Sequence, residues 1–120
     1  FLIDREKEEL WSTVAQGSEE IRIKLSEGIS GHVATTGETV NIEDAYQDAR
    51  FSRDYDLKTG YRTRSILCMP IHDQAGEIIG TIQVLNKLDG DRFAETDVQL
   101  LGAFASLIEP PAAEIRGWLV

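Results

Sequence analysis

Two apolar stretches separated by a short turn constrain this chain more than any other feature. SILCMPI (65–71) is continuously apolar, DQAG (73–76) has turn composition, and EIIGTIQVLNK (77–87) is a long strand-like run. Their length, β-branched content and bounding turn residues read as two strands rather than a helix. Gly80, inside the second run, marks a bulge or a place where another backbone comes close. A third segment, EIRIKL (20–25), alternates strictly: Ile21, Ile23 and Leu25 face one way, Arg22 and Lys24 the other. That is the pattern of a half-buried strand.

The remaining segments build around this sheet. FLID (1–4) and ELWSTVA (9–15) flank the charged turn 5–8 and read as a hairpin. In SEGISGHVATTGE (26–38) the period changes to that of a helix, expected over about 28–36, with Gly37 at its end. TVNI (39–42) is a short strand. AETDVQLLGAFASLI (94–108) carries an apolar stripe at Val98, Leu101, Ala105 and Ile108, widened by Leu100, Phe104 and Leu107. It is expected to lie as an amphipathic helix on the sheet. The fold class is α+β: an antiparallel sheet of five to six strands with helices on its faces. Residues 1–109 form the domain. Pro110-Pro111 stop the helix, and 110–120 are a connector or a second short helix.

Composition narrows the function. The chain has 120 residues, enough for one core, and a net charge of −9. An acidic surface argues against nucleic-acid partners. No apolar run approaches the roughly 20 residues of a membrane span. One cysteine excludes a disulfide framework and paired-cysteine metal sites, and fits a reducing cytoplasm. His32 and His72 are too few and too far apart to suggest a metal centre. No set of nucleophile, base and orienting group stands out, so catalysis is not expected. Phe1 opens directly into a strand, so the chain is read as part of a longer protein.

The order FLID, IRI, GISGHVATTGETVNIEDAY, ARF, TGYRTRSILCMPI, GEIIGTIQVLNK and Phe93-x-x-x-Asp97 resembles a GAF domain. More narrowly, it is similar to the cyclic-nucleotide-binding GAF domains of mammalian phosphodiesterases and cyanobacterial adenylyl cyclases. The resemblance covers Phe1 to about Ile108. It implies a GAF fold whose N-terminal helix is missing here. It implies that the backbone of Ile29 and Ser30 meets a cyclic phosphate, and that Asp56, Thr59, Thr63 and Gln83 surround base and ribose. Ala15 and Gln16 stand where a cyclic-GMP-binding relative carries an aromatic and an acidic base contact. Gln83 stands in place of a glutamate. Asn86, Lys87, Phe93 and Asp97 match the family's Asn-Lys…Phe…Asp signature, in which the lysine and aspartate form an internal clasp. Val98 replaces the signature's final glutamate.

Elementary chemistry supports these positions and leaves alternatives. A helix N-terminus behind Gly28 can hold an anion through free N–H groups; a tight strand-to-helix turn is the simpler reading. Residues 44–64 are polar, aromatic-dotted and poorly periodic, and so long a loop in a compact domain is usually functional. Its aspartates and threonines suit a purine edge or ribose; a solvated surface loop is the alternative. Arg62 and Arg64 read as partners of nearby carboxylates, with pairing to the phosphate as the alternative. Lys87 and Asp97 form either a clasp or a solvated pair. Cys68 reads as a buried apolar residue, Trp11 and Trp118 as core or interface.

The leading expectation is a regulatory sensor. It binds a cyclic purine nucleotide, cAMP slightly favoured over cGMP because Gln16 lacks the acidic contact. It works as a cytoplasmic homodimer through terminal helices and controls an attached catalytic output domain, without a cofactor. A ligand-free dimerisation scaffold and a tetrapyrrole or haem sensor remain as rivals.

Overall fold

A computed structural model describes residues 1–13, 20–88 and 92–107. Six strands form one antiparallel sheet: β1 (Leu2–Asp4), β2 (Glu9–Thr13), β3 (Glu20–Lys24), β4 (Val40–Ile42), β5 (Ile66–His72) and β6 (Ile78–Leu85). Their order is β3-β2-β1-β6-β5-β4. The sheet is thus two three-stranded meanders joined along β1 and β6, where Leu2 pairs with Gly80. Helices α1 (Gly28–Thr36), α2 (Asp54–Thr59) and α3 (Glu95–Ser106) complete the fold.

β5 explains the layering. Ile66 and Cys68 point to one face, where they pack with Ile29 and Val33 of α1, Val40 and Ala45. Leu67 points to the other face and packs with Phe93 and Leu101, with Met69, Ile82 and Val98 beside them. A strand covered on both faces has no polar side to show, which is why SILCMPI is continuously apolar. Trp11 is buried with Leu2 against Ile79 in a smaller cluster.

Two glycines set close approaches. A Cβ on Gly80 would stand 2.2 Å from the Phe1 carbonyl oxygen. A Cβ on Gly31 would stand 2.7 Å from the Leu25 oxygen, where α1 starts against the end of β3. The expected helix 28–36 is found with these bounds. Gly37 closes it in the left-handed conformation, its N–H bonded to the Val33 oxygen.

Two expectations are corrected. Residues 44–64 are not an unstructured loop: they hold a 3-10 turn at Ala45–Gln47, capped by the Asp44 carboxylate, and the helix α2. Their polar pattern hid these elements because each is only one or two turns long. In α3, Leu101 and Ala105 face the sheet, but Leu100, Phe104 and, just past its end, Leu107 are exposed. The apolar stripe is wider than the face that packing covers. Among the described residues no helix is long and apolar enough to cross a membrane. The tail 110–120, with Trp118, lies outside the described residues.

Candidate functional site

A cavity of about 630 Å³ opens between the sheet, the start of α1 and the 51–63 segment. That is within the roughly 300–1,000 Å³ of small-molecule sites. Its floor is β6, with Thr81, Gln83 and Leu85; β1 and β3 give Leu2, Ile21 and Ile23 along one side. The outer wall is Phe51, Ser52, Asp54, Tyr55, Asp56 and Thr63. The lining is mostly apolar; Glu27, Gly28, Ile29 and Ser30 close the end at the start of α1, while Asp54, Asp56 and Thr63 lie on the wall.

That end is built by backbone geometry. Gly28 begins α1 at φ +72°, a conformation that favours glycine. No side chain caps α1 at Glu27. The first-turn amides therefore keep the free N–H groups that a helix start always has, beside the cavity that Gly28, Ile29 and Ser30 line. No lysine or arginine lines the cavity among the described residues, so an anion here would be met by backbone. Ser30, buried, donates its hydroxyl to Gln83 Oε1 at 3.2 Å. Gln83 stands opposite Cys68 in the β5–β6 register. The Cys68 thiol lies 3.9 Å from Ser30 Oγ. Burial pushes that thiol up to about 11, against a weaker opposing contact from the Ser30 hydroxyl. Buried and held as the thiol, Cys68 packs as an apolar side chain.

The wall is tied together by its own residues. Asp56, buried, accepts from Thr63 N, Thr63 Oγ1 and Tyr46 Oη, all at 2.8 Å. Burial alone would push the Asp56 carboxyl up. The bonds from Thr63 and Tyr46 and the charge of Arg62 outweigh it and hold the group below the usual carboxylate range. Both Asp56 oxygens are thus engaged within the protein. Thr59 stands apart: its hydroxyl donates to the Tyr55 oxygen at 2.8 Å, and it does not line the cavity. Arg62 and Arg64 do not line it either. Arg62 lies over the Tyr46 ring, 3.9 Å from the centroid, and its charge acts on the nearby Asp56 carboxylate.

The Asn-Lys…Phe…Asp residues lie outside the cavity. Lys87 Nζ meets Asp97 Oδ2 at 2.9 Å with both side chains part-exposed. Asp97 Oδ2 also accepts from Ala94 N at 2.7 Å, capping α3. The bond from Lys87, then that from the Ala94 N–H, holds the Asp97 carboxyl low. Phe93 is buried against Leu67, and its carbonyl accepts from Asn41 Nδ2 at 2.9 Å. Asn86 faces the other way, at φ +54°. Its amide nitrogen donates to Tyr61 Oη at 2.9 Å and to the Arg62 oxygen at 3.0 Å, and its Oδ1 accepts from Arg64 N. It fastens the return of the wall to the end of β6.

Of the sequence-derived ligand residues, Ile29, Ser30, Asp56, Thr63 and Gln83 line one cavity and Thr59 does not. Ala15 and Gln16 lie outside the described residues. The sequence reading missed Phe51, Ser52, Tyr55 and Thr81. Thr81 was findable: it sits two residues before Gln83 on one strand, so both face the same side.

Comparison with known proteins places the chain. The GAF domain family matches residues 1–109. The chain is 50% identical over 86 residues to the dual 3',5'-cyclic-AMP and -GMP phosphodiesterase 11 of Drosophila melanogaster, covering 72% of the chain and 6% of that protein. It is 51% identical over 88 residues to phosphodiesterase 11A of Takifugu rubripes, covering 72% of the chain and 10% of that protein. The chain thus spans a tenth or less of these relatives. Among solved structures, the GAF domain of a phosphoenolpyruvate-protein phosphotransferase from Coxiella burnetii superposes with a TM-score of 0.73 at 26% identity, over 98% of this chain and 69% of that one. A free methionine-R-sulfoxide reductase from Neisseria meningitidis gives 0.68 at 26% identity, over 88% and 60%. The family match runs through every described element, and solved relatives share the arrangement: this chain belongs to the GAF domain family.

Proposed function

We propose that this domain is a regulatory sensor that takes a cyclic purine nucleotide in the 630 Å³ cavity and controls an attached signalling output domain. The observation that carries the reading is the convergence of an uncapped helix start, Ser30 and Gln83 at one end of a mostly apolar pocket. An uncapped helix start suits a phosphate, and an apolar wall suits a base. Identity of 50% and 51% to regions of phosphodiesterases named for cyclic AMP and cyclic GMP supports the ligand class and a catalytic neighbour. Between the two nucleotides the reading favours cyclic AMP. The domain itself binds and does not catalyse, and a cytoplasmic setting fits its buried free thiol.

Signal transfer follows from linkage. A ligand that favours one arrangement of the wall shifts whatever the wall and terminal elements touch. A second reading is a ligand-free dimerisation module, and the exposed Leu100 and Phe104 of α3, with Leu107 just beyond it, favour it. Thermal unfolding with cAMP, cGMP and 5′-AMP separates the two. A ligand at a hundredfold excess over its dissociation constant adds about 2.7 kcal/mol to the folded state. A shift with a cyclic nucleotide but not with 5′-AMP supports the sensor. No shift, together with concentration-dependent self-association, supports the scaffold.

A further inference from the structure

One side chain outside the cavity meets the segment that forms its outer wall at four points, Phe51, Arg53, Asp56 and Arg62. Tyr46 sits in the 3-10 turn Ala45–Gln47. That turn is fixed to the body of the domain: Ala45 is fully buried, and its N–H donates to the Arg64 oxygen at 2.6 Å. The Tyr46 hydroxyl donates to Asp56 Oδ2 at 2.8 Å. Its ring meets the Phe51 ring at 5.3 Å between centroids. The guanidinium of Arg53, at the start of α2, lies 4.5 Å from the Tyr46 ring centroid, and that of Arg62, just past the end of α2, lies 3.9 Å from it. Phe51 and Asp56 line the cavity; Tyr46 does not.

The geometry points to Tyr46 as the latch of this wall: a positioning residue, outside the pocket, that sets how fast the wall opens and so how fast a ligand enters and leaves. The inference rests on the sensor reading for the identity of the ligand, but the latch itself is built without one. Its partners are all groups of the protein itself. Contacts that are the same in the empty closed state and the occupied closed state cancel from the dissociation constant. They do not cancel from the cost of opening. Weakening them therefore speeds association and dissociation together. A residue that touched the ligand would alter dissociation alone. A residue needed only for folding would lower affinity and melting temperature without speeding association.

Tyr46→Phe is the informative change. It keeps the ring, its contact with Phe51 and its stacking with both arginines, and deletes one hydrogen bond to a carboxylate. Two measurements test it. In ligand-free protein, hydrogen exchange at the amides of residues 54–63 should quicken about tenfold, with β5 and β6 unchanged. In stopped-flow with a fluorescent cAMP analogue, both rate constants should rise about tenfold and the dissociation constant should move less than about threefold. Unchanged exchange in the wall overturns the latch. So does a rise in dissociation rate with association unchanged. If wild-type protein binds neither cAMP nor cGMP, the sensor reading falls, and the exchange experiment still decides the latch. Tyr46→Leu, which removes the ring as well, should quicken exchange further; a smaller effect than Tyr46→Phe also overturns it.

Discussion

Replacing Gly80 by alanine should open the seam between the two halves of the sheet. The added Cβ would stand 2.2 Å from the Phe1 carbonyl oxygen, 3.2 Å from the Phe1 carbonyl carbon and 3.3 Å from the Leu2 Cα. All three are backbone atoms, so no side-chain rotation relieves the clash. To reach ordinary contact near 3.4 Å, β1 must retreat by about 1 Å. The Thr81 N–H now bonds the Phe1 oxygen at 2.8 Å. A retreat of that size stretches the bond to about 3.8 Å, beyond hydrogen-bond range. Thr81 is almost fully buried, so its amide would be left without water. The unsatisfied donor costs about 1–3 kcal/mol, and residual strain brings the total to about 2–4 kcal/mol. For a domain of this size that lowers the melting temperature by about 10–20 °C. Circular dichroism during heating measures it. Gly102→Ala is the control: its Cβ would meet only the flexible end of Met69 at 3.4 Å, and alanine in a helix interior gains up to about 1 kcal/mol. A Gly80→Ala protein melting within about 3 °C of wild type would refute the steric account of the seam.

Other outcomes follow from the described contacts. Asp56→Ala should cost about 2–4 kcal/mol, because it leaves the buried Thr63 N–H and hydroxyl without their acceptor; denaturant unfolding reads it. The Asp56 carboxyl is held below its ordinary value, so its contribution is present above the unfolded-state value and is lost as pH falls through the folded one. Stability measured from pH 5 downward should fall less steeply in Asp56→Ala than in wild type below about pH 4. Lys87→Ala should lower both melting temperature and nucleotide affinity; no change in either removes the clasp. Cys68, fully buried with its thiol raised to about 11, should resist a disulfide reagent at pH 8 until the protein unfolds. Rapid labelling of native protein would contradict that burial.

Much of the sheet was legible because its signals are strong and local. The alternation in EIRIKL and the apolar run in SILCMPI each need only a few neighbours to read, and both became strands at nearly the expected bounds. Helix α1 was legible from its period and from Gly37. The 44–64 segment was not. Its 3-10 turn and α2 are each only one or two turns long, and the bond from the Ala45 N–H to the Arg64 oxygen spans the segment, so a local pattern carries little trace of them. The outer face of α3 was misjudged for a related reason. Hydropathy reports that Leu100, Phe104 and Leu107 are apolar, but only the breadth of the sheet decides how many of them it covers. At the site, the family resemblance named Asp56 and Thr63. Their mutual bonding is a matter of distance, which spacing alone does not give.

The seam also has a meaning in time. β5 and β6 close over the short turn between His72 and Ile78, and β1, β2 and β3 follow one another along the chain. The pairing of Leu2 with Gly80 must instead bring together ends separated by most of the domain. Loop closure of that length is costly before any contact rewards it, so such pairings form late. Until β1 arrives, β6 is an edge strand with unpaired amides and carbonyls, one of them the buried N–H of Thr81. An open edge of this kind invites pairing with another chain. The strand that fastens one side of the pocket is therefore also the one whose delay or early loss exposes the domain to association with its own copies.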